Sequence, residues 1–111
     1  MRIAKMLIGM MALGACDVQA QEPPGKLVFA QHCAECHADG IGHPGTQRLG
    51  WSRGEKFSVL EKRTDLNADY IKLIVRRGLL EMPAFRPSEI SDADLVELDS
   101  YLAKKRPGGS R

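Results

Sequence analysis

The chain has 111 residues, a formal net charge of +2 and charged side chains at 27% of positions. That length allows at most one small domain. Its near-neutral balance, with basic residues dispersed except at Lys104-Lys105-Arg106, excludes the electrostatic footprint of a nucleic-acid-binding protein.

Met1 to Ala20 reads as a targeting segment. Arg2 and Lys5 supply a charged start, Met6 to Ala15 is apolar but too short to span a bilayer, and Val18-Gln19-Ala20 forms a small-x-small cleavage site. The expected mature domain is therefore residues 21–111, delivered to the periplasm. Losing Arg2, Lys5 and Asp17 lowers its formal charge from +2 to +1. A second reading treats Leu13-Gly14-Ala15-Cys16 as a lipoprotein signal over residues 1–15, with Cys16 lipidated and the product anchored at a membrane surface.

The first helix is expected to open after Pro23-Pro24, at about Gly25, and to run through Leu27, Val28 and Phe29. It leads into Cys33-Ala34-Glu35-Cys36-His37. Two thiols three positions apart followed at once by an imidazole read as a covalent c-type haem site, with Cys33 and Cys36 forming thioethers and His37 ligating the iron. A Cys33–Cys36 disulfide is the competing reading, but so short a loop adds little stabilisation and leaves His37 without a role. A zinc site built from the two cysteines and two histidines would be strained by His37 directly after Cys36.

Gly40, Gly42, Pro44, Gly45 and Gly50 predict a long loop. Between Arg48 and Arg63 the only apolar cluster is Phe57, Val59 and Leu60, which suits at most a short helix. A second helix is expected from an Asn67 cap, through Tyr70, Ile71, Ile74 and Val75, to Gly78. A third is expected from a Ser91 cap with Asp94 three residues on, through Leu95, Leu98 and Leu102, ending before Pro107. No strand pair is evident. The fold class is all-α, about three main helices wrapped around one haem that stands in for missing core.

His37 needs a partner for its second ring nitrogen, and the Pro44 carbonyl is the candidate acceptor. For the opposite axial position Met82 is the choice. It is the only methionine outside the leader, and Met82-Pro83-Ala84-Phe85 follows the Gly78 turn, where proline stiffens the approach. His43 lies too near His37 to cross to the other face, and His32 is expected at the surface or packed on the haem edge. Propionate donors are sought among Arg48, Trp51, Arg53 and Arg63. Trp51 could equally be a plain core residue, and surface exposure is the expectation for each arginine.

Together these residues resemble class I cytochromes c. In that family a glycine and an aromatic four apart on the first helix cross a Leu and a Tyr three apart on the last, a pattern matched by Gly25, Phe29, Leu98 and Tyr101. His43-Pro44-Gly45 and Met82-Pro83-Ala84-Phe85 resemble its proline and axial-ligand loops. Tyr70-Ile71-Lys72, Val75-Arg76, Gly78 and the Met82 loop are also similar to the cytochrome subunits of p-cresol methylhydroxylase-type flavocytochromes. The resemblance implies one covalently bound haem c, metal ligands His37 and Met82, and no catalytic residues. It implies a one-electron carrier rather than an enzyme, with redox proteins as partners, a flavin-dependent phenol-oxidising dehydrogenase among them. Docking would use the rim at Ile41, Ala84 and Phe85. The alternative is a c-type haem protein with an open distal site acting as a gas sensor or peroxidase.

Overall fold

The computed structural model describes residues 19–103. The leader up to Val18, Cys16 within it, and the Lys104-Lys105-Arg106 tail lie outside the described residues. Among the described residues five α-helices follow in chain order: α1 (Pro24–His32), α2 (Ala34–His37), α3 (Pro44–Arg53), α4 (Ala68–Arg77) and α5 (Asp92–Leu102). Two single 3-10 turns, Glu55–Phe57 and Leu60–Lys62, connect α3 to α4. Among the described residues the only β pairing is the isolated bridge between Leu79 and Met82, so the domain is all-α.

The organising contact is the packing of α1 on α5, the most extensive between any two elements. Gly25 allows it. A Cβ placed on Gly25 would stand 2.1 Å from the Glu97 carbonyl oxygen and 2.5 Å from the Tyr101 Cβ, so the two backbones meet where a side chain is missing. One turn further along α1, Phe29 is buried and its ring lies 6.2 Å from that of Tyr101. The Tyr101 hydroxyl in turn donates to Glu61 in the second 3-10 turn.

α4 closes the core with Ile71 and Val75, one turn apart on a single face. They join Phe29, Ile90, Leu95, Leu98 and Leu102 in one cluster, with Ile90, Leu95 and Leu98 fully buried. Both expected caps are present: Asn67 Oδ1 accepts from the Tyr70 N–H at 2.9 Å, and Ser91 Oγ accepts from the Asp94 N–H at 3.1 Å. The reciprocal half of the Ser91 motif differs from a capping box, because the Asp94 carboxylate accepts the Ser91 hydroxyl at 2.7 Å rather than the Ser91 N–H.

The expected long loop over residues 40–50 is instead a turn followed by α3. Gly40 and Gly42 take positive φ and make the turn. Pro44 then occupies the first helical position, where its fixed φ and missing N–H cost nothing.

Candidate functional site

α1 stops where the attachment segment begins. Cys33 caps it with φ −119°, and its N–H still donates to the Phe29 carbonyl at 2.9 Å. The Cys33 carbonyl then accepts from the Cys36 and His37 N–H groups at 3.2 and 2.9 Å, winding the single turn of α2. Cys33, Cys36 and His37 are thus presented by one short turn anchored to the α1–α5 pair. Both thiols are free, which removes the disulfide reading. Cys33 packs half-buried against the core while Cys36 is exposed. Burial, with a smaller contribution from Cys36, pushes the Cys33 thiol up to about 11.

Burial likewise lowers the pKa of His37, favouring the neutral imidazole that ligates metals. Its Nδ1 is buried with no hydrogen-bond partner, so the expected bond to the Pro44 carbonyl is not made. Pro44 begins a helix, and its carbonyl is directed along the helix axis into the backbone ladder rather than towards the ring. The neighbour that shapes the site is Gly45. A Cβ there would lie 2.6 Å from His37 Cε1 and 2.8 Å from both His37 Nδ1 and the Cys36 carbonyl oxygen. α3 is pinned at this distance on both sides of Gly45: His43 Nδ1–H donates to the Glu35 carbonyl at 2.9 Å, and Thr46 Oγ1 donates to the Ala38 carbonyl at 2.8 Å. His43 therefore braces α2.

Met82 sits in a tight reversal. Gly78, at φ 72°, ends α4, and a Cβ on it would approach the Met82 carbonyl oxygen to 2.6 Å and the Ala84 nitrogen to 2.9 Å. Leu79 and Met82 exchange both backbone hydrogen bonds, at 3.0 and 2.9 Å, with Leu80 at φ 53° in the turn between them. The Phe85 N–H returns to the Val75 carbonyl at 2.8 Å. Met82 and Phe85 are half-buried against the same core as Cys33. The Phe85 ring meets the His32 ring edge-on at a centroid distance of 6.3 Å, so the methionine loop touches the end of the helix that leads into the cysteines. His32 is thereby accounted for as a packing residue.

Arg48 and Arg53 are exposed, as expected. Arg63 departs from that expectation: its side chain is only 10% exposed, paired with both Asp65 oxygens at 2.9 and 2.6 Å and lying over the Phe57 ring. Trp51 is 82% exposed, which overturns the core-packing reading, because α3 turns that face away from the α1–α4–α5 cluster. Ile41, 96% exposed, lines the same shallow depression as Trp51. Among the described residues no three His, Cys, Asp or Glu side chains converge on one point, so the zinc reading finds no site.

These features suit a covalently held haem. Two free thiols lie on one turn, a largely buried neutral imidazole has an unpartnered nitrogen, and a glycine clears the space beside it. Cys33, Cys36, His37 and Met82 all had a signal in the sequence. Gly45 and Gly78 read there as turn or helix-end residues and as parts of the resemblance, and their close approaches depend on the fold. Arg76 entered the sequence reading only as part of a resemblance, with no role, and its guanidinium holds the methionine loop; nothing there marked Asp99, a carboxylate buried at a position where the α5 spacing calls for an apolar residue.

The architecture and site define a small c-type cytochrome with a single attachment motif. Residues 20–102 match the family described as cytochrome c oxidase, cbb3-type, subunit III. The chain is 33% identical over 94 residues to the 4-cresol dehydrogenase (hydroxylating) cytochrome c subunit of Pseudomonas putida, covering 85% of this chain and 71% of that protein. It is 28% identical over 101 residues to cytochrome c6 of a Synechocystis species, covering 91% of this chain and 79% of that protein. No solved structure matches significantly. The chain belongs to this cytochrome c family and is a monohaem class I c-type cytochrome. It carries covalently bound haem c and is an electron-transfer protein rather than an enzyme. No described helix is long and apolar enough to cross a membrane.

Proposed function

We propose that this chain is a periplasmic one-electron carrier whose haem is attached through Cys33 and Cys36 and ligated by His37 and Met82. The observation that carries the reading is the pair of glycine clearances: Gly45 admits the His37 ring beside α3, and Gly78 admits the Met82 reversal at the end of α4. Each clearance is tighter than ordinary contact, and each lies at one of the two expected ligands.

When bound, haem c supplies one iron that gains or loses a single electron. The surrounding residues do the rest. Burial favours neutral His37 as a donor, while the Met82 thioether, a soft ligand, would favour ferrous iron and raise the potential. With His37 and Met82 both holding the iron, substrates would be kept from the metal. Ile41, Ala84 and Phe85 form the expected docking rim, where a small interface permits release after each electron. The likeness to a 4-cresol dehydrogenase subunit supports a flavoprotein dehydrogenase as the electron donor. Export uses residues 1–20, leaving 21–111 as the mature domain.

Absorption spectra of wild type and Met82→Ala, each before and after acid–acetone extraction, test this reading. Haem retained on the polypeptide in both, with the long-wavelength band of sulfur–iron ligation lost only in the variant, is the expected result. A Met82→Ala spectrum identical to wild type would overturn the ligand set. Mass spectrometry of the mature N-terminus separates cleavage after Ala20 from lipidated Cys16.

A further inference from the structure

Arg76 is a cationic side chain of α4 that turns inward onto backbone carbonyls, and its placement is demanding. Its side chain is only 19% exposed. A single nitrogen, Nη1, donates to the Phe85 carbonyl at 3.1 Å and to the Ile90 carbonyl at 2.9 Å, and Nη2 donates to Asp92 Oδ1 at 2.7 Å. The two carbonyls flank the turn formed by residues 86–89, whose own bonds are local: the Glu89 and Ile90 N–H groups donate to the Arg86 carbonyl, and the Arg86 N–H donates to the Glu89 carboxylate.

Those local bonds shape the turn but do not attach it to the helices. The attachments are the Phe85 N–H to Val75 carbonyl bond, the fully buried Ile90 side chain, and Arg76. The Phe85 carbonyl is three residues from Met82, and the Phe85 ring touches His32 beside the first cysteine. Loss of the guanidinium would leave two carbonyls without this donor, one belonging to a residue that water does not reach. The way to satisfy them is for residues 83–90 to move outward into solvent, carrying the Met82 reversal with them.

We infer that Arg76 is a positioning residue for the distal ligand: it clamps the two ends of the 86–89 turn onto α4 and thereby holds the Met82 loop closed. The inference rests on Met82 as the distal ligand, but the clamp itself is a property of the loop. Asp92 is secondary. It is 81% exposed, so its ion pair with Arg76 is largely screened, and the two carbonyl bonds carry the closure. Lysine is an incomplete substitute, since an ammonium is a compact point charge without the planar fork that reaches Phe85, Ile90 and Asp92 together.

The test compares wild type, Arg76→Leu, Arg76→Lys and Asp92→Asn as haem-loaded proteins by two readouts: imidazole affinity of the ferric form, and amide hydrogen exchange over residues 82–90. Arg76→Leu is expected to bind imidazole tenfold or more tightly and to exchange the Phe85 amide correspondingly faster, with amides of α1 and α5 little changed. Arg76→Lys should fall between, and Asp92→Asn should stay within twofold of wild type. Unchanged exchange at 82–90 in Arg76→Leu overturns the clamp. If that variant fails to fold, wild-type values in Arg76→Lys overturn it equally. Faster loop exchange without tighter imidazole binding keeps the closure but overturns its role toward the ligand. A Met82→Ala spectrum identical to wild type rejects the ligand reading while the exchange result still decides the clamp.

Discussion

Replacing Gly45 by alanine puts a methyl group where the site leaves no room. The added Cβ would stand 2.6 Å from His37 Cε1, whereas carbon atoms settle about 3.5–4.0 Å apart, so something must give by about 0.9 Å. The Cys36 carbonyl oxygen, 2.8 Å away, blocks the other side. α3 cannot slide off freely, because His43 and Thr46 tie it to Glu35 and Ala38 on either side of the substitution. Overpacking costs about 1–3 kcal/mol, and losing one of those bonds about 1 kcal/mol more, against a gain of about 1 kcal/mol in helix propensity. The net loss is about 1–3 kcal/mol, with the His37 ring displaced.

Gly50→Ala is the control on the same helix. There the nearest atom is the Glu55 carboxylate oxygen at 3.1 Å, the far end of a flexible side chain, so the propensity gain of about 1 kcal/mol should survive. The two variants should therefore differ by about 2–4 kcal/mol, a Tm gap of at least about 8 °C in a domain this size. Thermal melts of the haem-loaded proteins, followed in the visible band, read both stability and haem ligation. If the two variants melt together and Gly45→Ala keeps the wild-type spectrum, the close approach of α3 to His37 is not a constraint and the site geometry argued above is wrong.

Gly25→Ala should cost about 3 kcal/mol by prising α1 from α5, since the Glu97 carbonyl is backbone and cannot rotate away; a melt within 2–3 °C of wild type would refute that crossing. Asp99 should make stability fall as pH rises. Burial, with Asp69 adding to it, outweighs the opposing pull of Lys72 and Arg76 and pushes its carboxyl up to about 6 from an ordinary 3.8. The protonated acid is thus favoured in the fold, and the cost of ionising it grows from pH 3.8 to about 6 and is complete above. Asp99→Asn should match wild type near pH 4 and exceed it by about 1–3 kcal/mol at pH 7–8; a pH-independent difference would contradict the assignment. Ile41→Lys, at a site 96% exposed, should leave the melt and spectrum unchanged while slowing electron exchange with the partner about tenfold, and unaltered rates would move the docking face elsewhere.

What could be read from the sequence was whatever local chemistry specifies by itself. The Asn67 and Ser91 caps state a requirement in residue types that the fold meets; the Cys33–His37 spacing states one for haem attachment; and the Gly25, Phe29, Leu98 and Tyr101 pattern, legible through the family resemblance, matches the crossing of α1 and α5. α3 was hidden because its apolar residues do not recur at helical spacing, while Pro44, Gly45 and Gly50 read as turn formers. Only the fold shows that Pro44 starts a helix and that Gly45 is small because His37 needs the space. Trp51 misled in the opposite sense, since a lone tryptophan suggests core and α3 faces it outward. The role of Arg76, a residue the resemblance includes without assigning it one, was hidden for a further reason: its acceptors, the Phe85 and Ile90 carbonyls, are backbone groups that no side-chain pattern reports.

The most direct test of a closed, one-electron haem site is a spectroelectrochemical titration of the purified protein, run with and without carbon monoxide. The account predicts a single reversible one-electron transition whose midpoint and spectrum carbon monoxide leaves unchanged. A midpoint driven upward by carbon monoxide, with a new ferrous spectrum, would show that the distal position opens to ligands and would put gas or peroxide chemistry in place of electron transfer.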